Sequence, residues 1–156
     1  MILDYAVRES HVGQTLDTLL SEALQAERKA TKDVRISGPS DVFTYCRSMA
    51  RLKTERLVGL YLSSQNTVLS KVVISKGTLN TTRSHPREIL KPALDAQCLG
   101  FILVHNHPSG TLVPSSDDIE FTHAIGRAAD LMGMPLYDHV IVSSQGFVSL
   151  KEKGLL

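Results

Sequence analysis

The run Leu99-Gly100-Phe101-Ile102-Leu103-Val104 leads straight into His105-Asn106-His107-Pro108-Ser109-Gly110. A short apolar run bounded by a turn signal reads as a strand buried on both faces, and Pro-Ser-Gly is such a signal. The chain must therefore set this strand in the middle of a core and bring two imidazoles out at its end. Residues i and i+2 of a strand point to the same face, so His105 and His107 are able to share a metal ion. Pro114-Ser115-Ser116-Asp117-Asp118 follows after a short loop, and Asp118 offers a carboxylate oxygen as third ligand. Three N/O ligands with a fourth position left for water form the pattern of a catalytic zinc site, not of a closed structural one. The same residues also read as a helix start. Ser115 with an acid three residues on is a capping pattern, and acids in a first turn suit the helix dipole. The two readings are compatible, because a helix N-terminus fixes Asp118 in place.

The rest of the pattern supplies layers for that strand. Val12, Leu16, Leu19, Leu20, Ala23 and Leu24 have helical spacing, which predicts an amphipathic helix from Gln14 to about Ala30 with a linker behind it. That helix can pack on the domain or pair with another copy, as in a homodimer; the sequence leaves both open. Ser40 is the expected cap of a second helix, ending near Lys53, with Val42, Cys46, Met49 and Ala50 on one face. Arg56 to Ser63 alternates Leu57, Gly59 and Tyr61 with Val58, Leu60 and Leu62, a strand buried on both faces. Ser64-Gln65-Asn66 is a turn, and Thr67 to Ser75 the next strand, ended by Gly77. Pro86 sits at a natural first helical position, with Ile89, Leu90, Ala93 and Leu94 as the apolar face. Pro92 falls inside that helix and should kink it. Asp117 to Met132 is a helix with Phe121, Ile125, Ala128, Ala129 and Met132 facing in and Gly133 as its stop. Asp138 to Ser143 and Gly146 to Leu150 form a hairpin. The expected class is α/β, a mixed sheet flanked by helices.

His105-x-His107, then seven residues, then Ser115-x-x-Asp118 resembles the JAMM motif of the JAB/MPN-plus metallopeptidases, in which an upstream Glu completes the set. Within that superfamily the chain is similar to the bacterial RadC family. The closer likeness rests on Pro39-Ser40-Asp41-Val42 with Tyr45 and Arg47, and on Glu55 followed by Leu57-Val58-Gly59-Leu60-Tyr61-Leu62 and Gln65-Asn66. It continues through Lys76-Gly77-Thr78-Leu79-Asn80, Pro86-Arg87-Glu88, His105 to Gly110, Asp138-His139-Val140-Ile141-Val142 and Gly154-Leu155-Leu156. It covers about Ile36 to Leu156, so the expected organisation is a helical extension and linker over 1–35 and a RadC-like JAB/MPN domain over 36–156. The resemblance implies a three-layer, cytidine-deaminase-like fold and one zinc ion per chain. Two departures stand out. Residues Met1 to Arg35 are too short for the helix-hairpin-helix segment usual in RadC proteins and lack its glycine-punctuated hairpins. The loop Thr111-Leu112-Val113 is more apolar than the family's acidic, proline-bearing version, and it borders the site.

The resemblance places the general base on Glu55, which would take a proton from water and return it to the leaving amine. Sequence alone leaves Glu88 and Glu120 as competitors. Glu88 lies in a helix first turn, where acids are common for dipole reasons. Glu120 lies two residues past Asp118, about 200° round a helix of ~3.6 residues per turn, and should face away. Ser115 would donate its hydroxyl to the oxyanion of a tetrahedral intermediate, with its capping role as the alternative. Asn106 points to the opposite side of the strand from the two histidines and reads as structural support. Ser109 reads as a turn residue at least as well as a substrate contact. Asp138-His139 invites a triad reading, yet no nucleophile is signalled nearby, so the pair reads as structural. His11, His85 and His123 read the same way.

A net charge of +1 provides no strong electrostatic footprint for nucleic acid. The start, Met1-Ile2-Leu3-Asp4-Tyr5, has no secretory pattern, and no stretch approaches the ~20 apolar residues that span a bilayer. The two cysteines, Cys46 and Cys98, make no metal-type cluster and read as core packing in a reduced cytoplasm. Three functions are therefore ranked. First comes a zinc-dependent hydrolase of peptide or isopeptide amides acting on a protein or peptide substrate. Second is a protein acting at DNA, following the DNA-repair label that RadC proteins traditionally carry. Third is an MPN-type scaffold without chemistry, a class that generally lacks the ligands kept here.

Overall fold

The structure, a computed structural model, describes residues 34–77 and 85–156, together with Thr18. Apart from Thr18, the helix expected over 14–30 lies outside the described residues, as do His11 and Thr78-Leu79-Asn80.

Alternation builds the sheet. In β1 (Arg56–Leu62) and β3 (Gly100–Asn106) all but one residue are buried. Leu57, Tyr61, Phe101 and Leu103 pack to one side, and Val58, Leu60, Leu62, Ile102 and Val104 to the other. β2 (Val68–Lys76), β4 (Leu136–Ser143) and β5 (Gly146–Ser149) complete five strands in the order β2-β1-β3-β4-β5. β3 and β4 are parallel, and the other neighbours are antiparallel. Helix α1 (Pro39–Tyr45) and a 3-10 turn, Arg47–Arg51, put Val42, Cys46 and Met49 on one face of the sheet. Helices α2 (Pro86–Asp95) and α3 (Ser116–Leu131) put Ile89, Leu90, Ala93, Ile125 and Ala129 on the other. This is the expected three-layer α/β fold with a mixed sheet. β3 is its central strand, and α3 is the crossover that a parallel β3–β4 pair requires.

Gly59 has a packing reason. A Cβ there would lie 2.6 Å from the Tyr61 hydroxyl oxygen, and that hydroxyl donates to the Ile89 carbonyl at 2.9 Å, tying β1 to α2. Burial raises the Tyr61 pKa and keeps the phenol a donor.

Several local expectations are corrected. Gly38, not Ser40, is the N-cap of α1, because Pro39 occupies the start of the helix. The helix does not run to Lys53; it stops at Tyr45 and continues as the 3-10 turn. Leu94 is 52% exposed: α2 buries Ile89, Leu90 and Ala93, and Leu94 lies one step further round toward solvent. Met132 is also exposed. It closes α3, and Gly133, with φ of 68°, turns the chain so that Met134 enters the core in its place. Pro92 lies inside α2, as expected, and the helix runs from Pro86 to Asp95. Cys46 and Cys98 are buried free thiols, in keeping with a packing role. Among the described residues no helix is long and apolar enough to cross a membrane.

Candidate metal centre

His105 belongs to β3 and has the parity of Phe101 and Leu103, so it faces α3 from the carboxyl end of the central strand. It is fully buried. His107 lies just past the strand, and its backbone N–H still bonds to the Val142 carbonyl of β4 at 3.0 Å. Its ring comes back over His105, with the two Nε2 atoms 2.8 Å apart. Asp118 is the third residue of α3 and is buried. The helix start holds it by a reciprocal cap. The Ser115 backbone N–H and hydroxyl both donate to Asp118 Oδ2, at 2.8 and 2.7 Å, and the Asp118 N–H donates to Ser115 Oγ at 3.1 Å. Asp118 Oδ1 then lies 3.4 Å from His105 Nε2, and Oδ2 lies 3.6 Å from His107 Nε2. The ligand atoms of these three residues all fall within 4.8 Å of one another.

The donor set fits a metal ion. Ligands held ~2.0–2.1 Å from a tetrahedral ion sit roughly 3.3 Å apart, and the observed separations bracket that value. The His107 ring is already in the right tautomer. Its Nδ1 is 3.0 Å from the Thr111 carbonyl, which can only accept, so Nδ1 carries the hydrogen and Nε2 presents a lone pair. Charge is arranged to match. Burial pushes the Asp118 carboxyl up, but the neighbouring His107 and His105 rings and the two Ser115 donors outweigh it and hold the group well below the usual carboxylate range. The Asp118 carboxylate beside it raises the His107 pKa, with Glu55 among the lesser contributors. Burial, with His139 beside it, holds His105 far below the ordinary histidine value. A lone-pair cluster facing a carboxylate calls for a cation, either a proton or a metal.

Glu55 is half-buried at the edge of β1, and its negative charge reaches His107. The segment that carries it is fastened from β3. Asn106 Oδ1 accepts from the Arg56 N–H at 2.8 Å, and its amide donates to the carbonyls of Thr54 and Leu52 at 3.2 and 3.4 Å. The Gly77 N–H closes the other side onto the Glu55 carbonyl at 2.9 Å. Asn106 therefore supports the site from the opposite face, as expected. Glu88 and Glu120 are exposed, and Glu120 turns away from Asp118. In Ser115 the hydroxyl proton lies toward Asp118, so the capping role is the one seen. Ser109 Oγ accepts from the Thr111 N–H at 3.4 Å, a turn role. His85 is the N-cap of α2, and His123 reaches the Leu155 carbonyl at 3.1 Å.

Sequence reasoning missed the residues that lie behind His105. Asp138 is structural: it accepts from the backbone of His139 and Lys151 and from the Ser149 hydroxyl. His139 is more than that. Its Nε2 lies 2.8 Å from His105 Nδ1, and its Nδ1 lies 2.6 Å from Thr122 Oγ1. Burial lowers the His139 pKa to about 4, so the ring is neutral. The signal for Thr122 was its place one helical turn after Asp118.

The RadC-like JAB domain family matches residues 36–155 of this chain. A UPF0758 protein of Clostridium botulinum strain Eklund 17B is 37% identical over 152 residues, covering 96% of this chain and 66% of the relative. One from Bacillus licheniformis is 40% identical over 153 residues, covering 94% and 68%. One from Halalkalibacterium halodurans is 45% identical over 122 residues, covering 78% and 53%. The chain thus spans between about half and two thirds of the length of these curated relatives. With the three-layer fold, the ligand spacing and these matches together, the chain belongs to the RadC-like JAB domain family.

Proposed function

We propose that this domain is a zinc-dependent hydrolase of the JAMM type that cleaves a peptide or isopeptide amide bond in a protein or peptide substrate. The observation that supports it most is the convergence of His105 Nε2, His107 Nε2 and Asp118 Oδ1 at the end of the central strand, with the Glu55 carboxylate close enough to act on His107. Zinc held by His105, His107 and Asp118 would supply Lewis acidity and bring the pKa of a water down to about 7.

The chain's own residues handle the protons and the charge. Glu55 accepts the proton of the attacking water and returns it to the amine nitrogen as the C–N bond breaks, leaving a carboxylate and an amine. The Asn106 bonds to both sides of Glu55 fix the backbone from which that carboxylate reaches. Ser115 stabilises the oxyanion by turning its hydroxyl from Asp118 Oδ2 to the oxygen on which charge develops. The backbone N–H of Ser115 stays on Asp118 and keeps the ligand in place.

The test uses the zinc-loaded chain on libraries of peptides and of isopeptide-linked peptides. The wild type should cleave, lose activity to a chelator and regain it with zinc. Glu55→Gln should hold the same zinc and cleave ~10²–10⁴-fold more slowly. Equal cleavage by wild type and Glu55→Gln would contradict the assignment.

A further inference from the structure

We propose that Thr122 and His139 are positioning residues that fix the tautomer of His105, so that its Nε2 can only face the metal site as a lone pair. The inference rests on the metal reading of His105, but not on any particular reaction.

The argument is a count of hydrogens along one chain of contacts. Thr122 Oγ1 lies 2.6 Å from the Asp118 carbonyl and 2.6 Å from His139 Nδ1. A hydroxyl has one hydrogen, and a carbonyl can only accept. The hydroxyl must therefore donate to Asp118, because two acceptors at that distance would repel. What remains for His139 is the Thr122 oxygen as an acceptor, so His139 Nδ1 carries a hydrogen. The His139 ring is fully buried, with both nitrogens held by neutral side chains, and a cation there would be expensive. His139 Nε2 is then an acceptor, and the hydrogen in its 2.8 Å contact with His105 belongs to His105 Nδ1. A neutral imidazole has one hydrogen, so His105 Nε2 is left bare, facing His107 Nε2 and Asp118 Oδ1.

The chain closes on itself. It starts at the backbone of Asp118, runs through Thr122 and His139 to His105, and ends opposite the Asp118 side chain. One metal-ligand residue thereby sets the hydrogen order of another, through α3 and β4. Outer partners that orient a metal-bound histidine typically change affinity by ~10–100-fold when removed. Thr122→Val keeps the shape and removes the hydroxyl. His139 Nδ1 then loses its acceptor, and the alternative tautomer, with a hydrogen on His105 Nε2, is no longer excluded.

The experiment has two readouts on the full chain. Nitrogen-15 histidine spectra of the metal-free wild type should show His105 and His139 both protonated at Nδ1. Competition titrations with a chromogenic chelator should show zinc affinity falling about 10–100-fold in Thr122→Val and recovering in Thr122→Ser. A wild type that binds zinc but carries the His139 hydrogen on Nε2 would overturn this inference and leave the metal reading standing. So would a folded Thr122→Val with unchanged affinity. A wild type that takes no zinc would overturn the metal reading and this inference with it. The wild-type spectra need no variant, so a Thr122→Val that fails to fold does not remove the test.

Discussion

Asn106 and His105 are neighbours at the end of β3, and they face opposite sides of the same sheet. On the α1 side, Asn106 gives its amide oxygen and nitrogen to backbone groups of Leu52, Thr54 and Arg56. On the α3 side, His105 bonds another imidazole through one nitrogen and turns the other toward His107 and Asp118. Both are buried polar side chains on a strand that is otherwise apolar. One has its hydrogen-bonding capacity met within the fold, which is how buried polar groups are normally accommodated. The other belongs to a cluster whose lone pairs are left facing each other and a carboxylate. Burial alone therefore does not separate a supporting polar residue from a chemical one. The nature of the partners does.

This contrast sets what substitutions should do. The largest effect is expected from Asp118→Asn, which keeps the size of the side chain and removes its charge. Zinc affinity should fall by more than the ~100-fold typical of outer partners, read by chelator competition, while the helix persists by circular dichroism. Glu55→Gln should leave zinc content at the wild-type value and lower kcat by ~10²–10⁴-fold, the range of general acid–base catalysis. On the opposite face, Asn106→Ala should do the reverse. It strands backbone groups that are partly buried and should cost about 2–3 kcal/mol in urea unfolding, with zinc stoichiometry unchanged. If Asn106→Ala lost zinc without losing stability, the distinction between the two faces would fail. Ser115→Ala lies between the two classes and gives the smallest change in stability, about 1 kcal/mol for the lost cap. Its kcat should fall by ~10²-fold if the hydroxyl serves the oxyanion, and a loss of stability with unchanged kcat would leave it a cap only.

The candidate cluster was legible in the sequence because its spacing is local. His105 and His107 share a strand parity, and Asp118 is tied to Ser115 within one helical turn. The central strand was legible as an unbroken apolar run, and the crossover helix as a periodic one with an acidic start. What stayed hidden depends on register between distant segments. His139 reaches His105 only because β3 and β4 are parallel, with Leu103 opposite His139 and His105 opposite Ile141. A sequence does not state that pairing, so Asp138-His139 looked like a self-contained pair. In the fold the two residues part company: Asp138 fastens the β4–β5 hairpin, and His139 turns to His105. Ser40 was misjudged as a cap for a local reason, since the proline before it starts the helix two residues earlier than a Ser40 cap would. Leu94 and Met132 were misjudged because helical spacing counts apolar positions without knowing where the sheet ends.

The central claim is that His105, His107 and Asp118 form one metal site. It is tested most directly by metal analysis, using plasma mass spectrometry on untagged protein purified without chelator or added metal. The account predicts close to one zinc per chain in the wild type and almost none in Asp118→Asn. A wild type that is empty as purified, and that still refuses zinc on reconstitution, would contradict it.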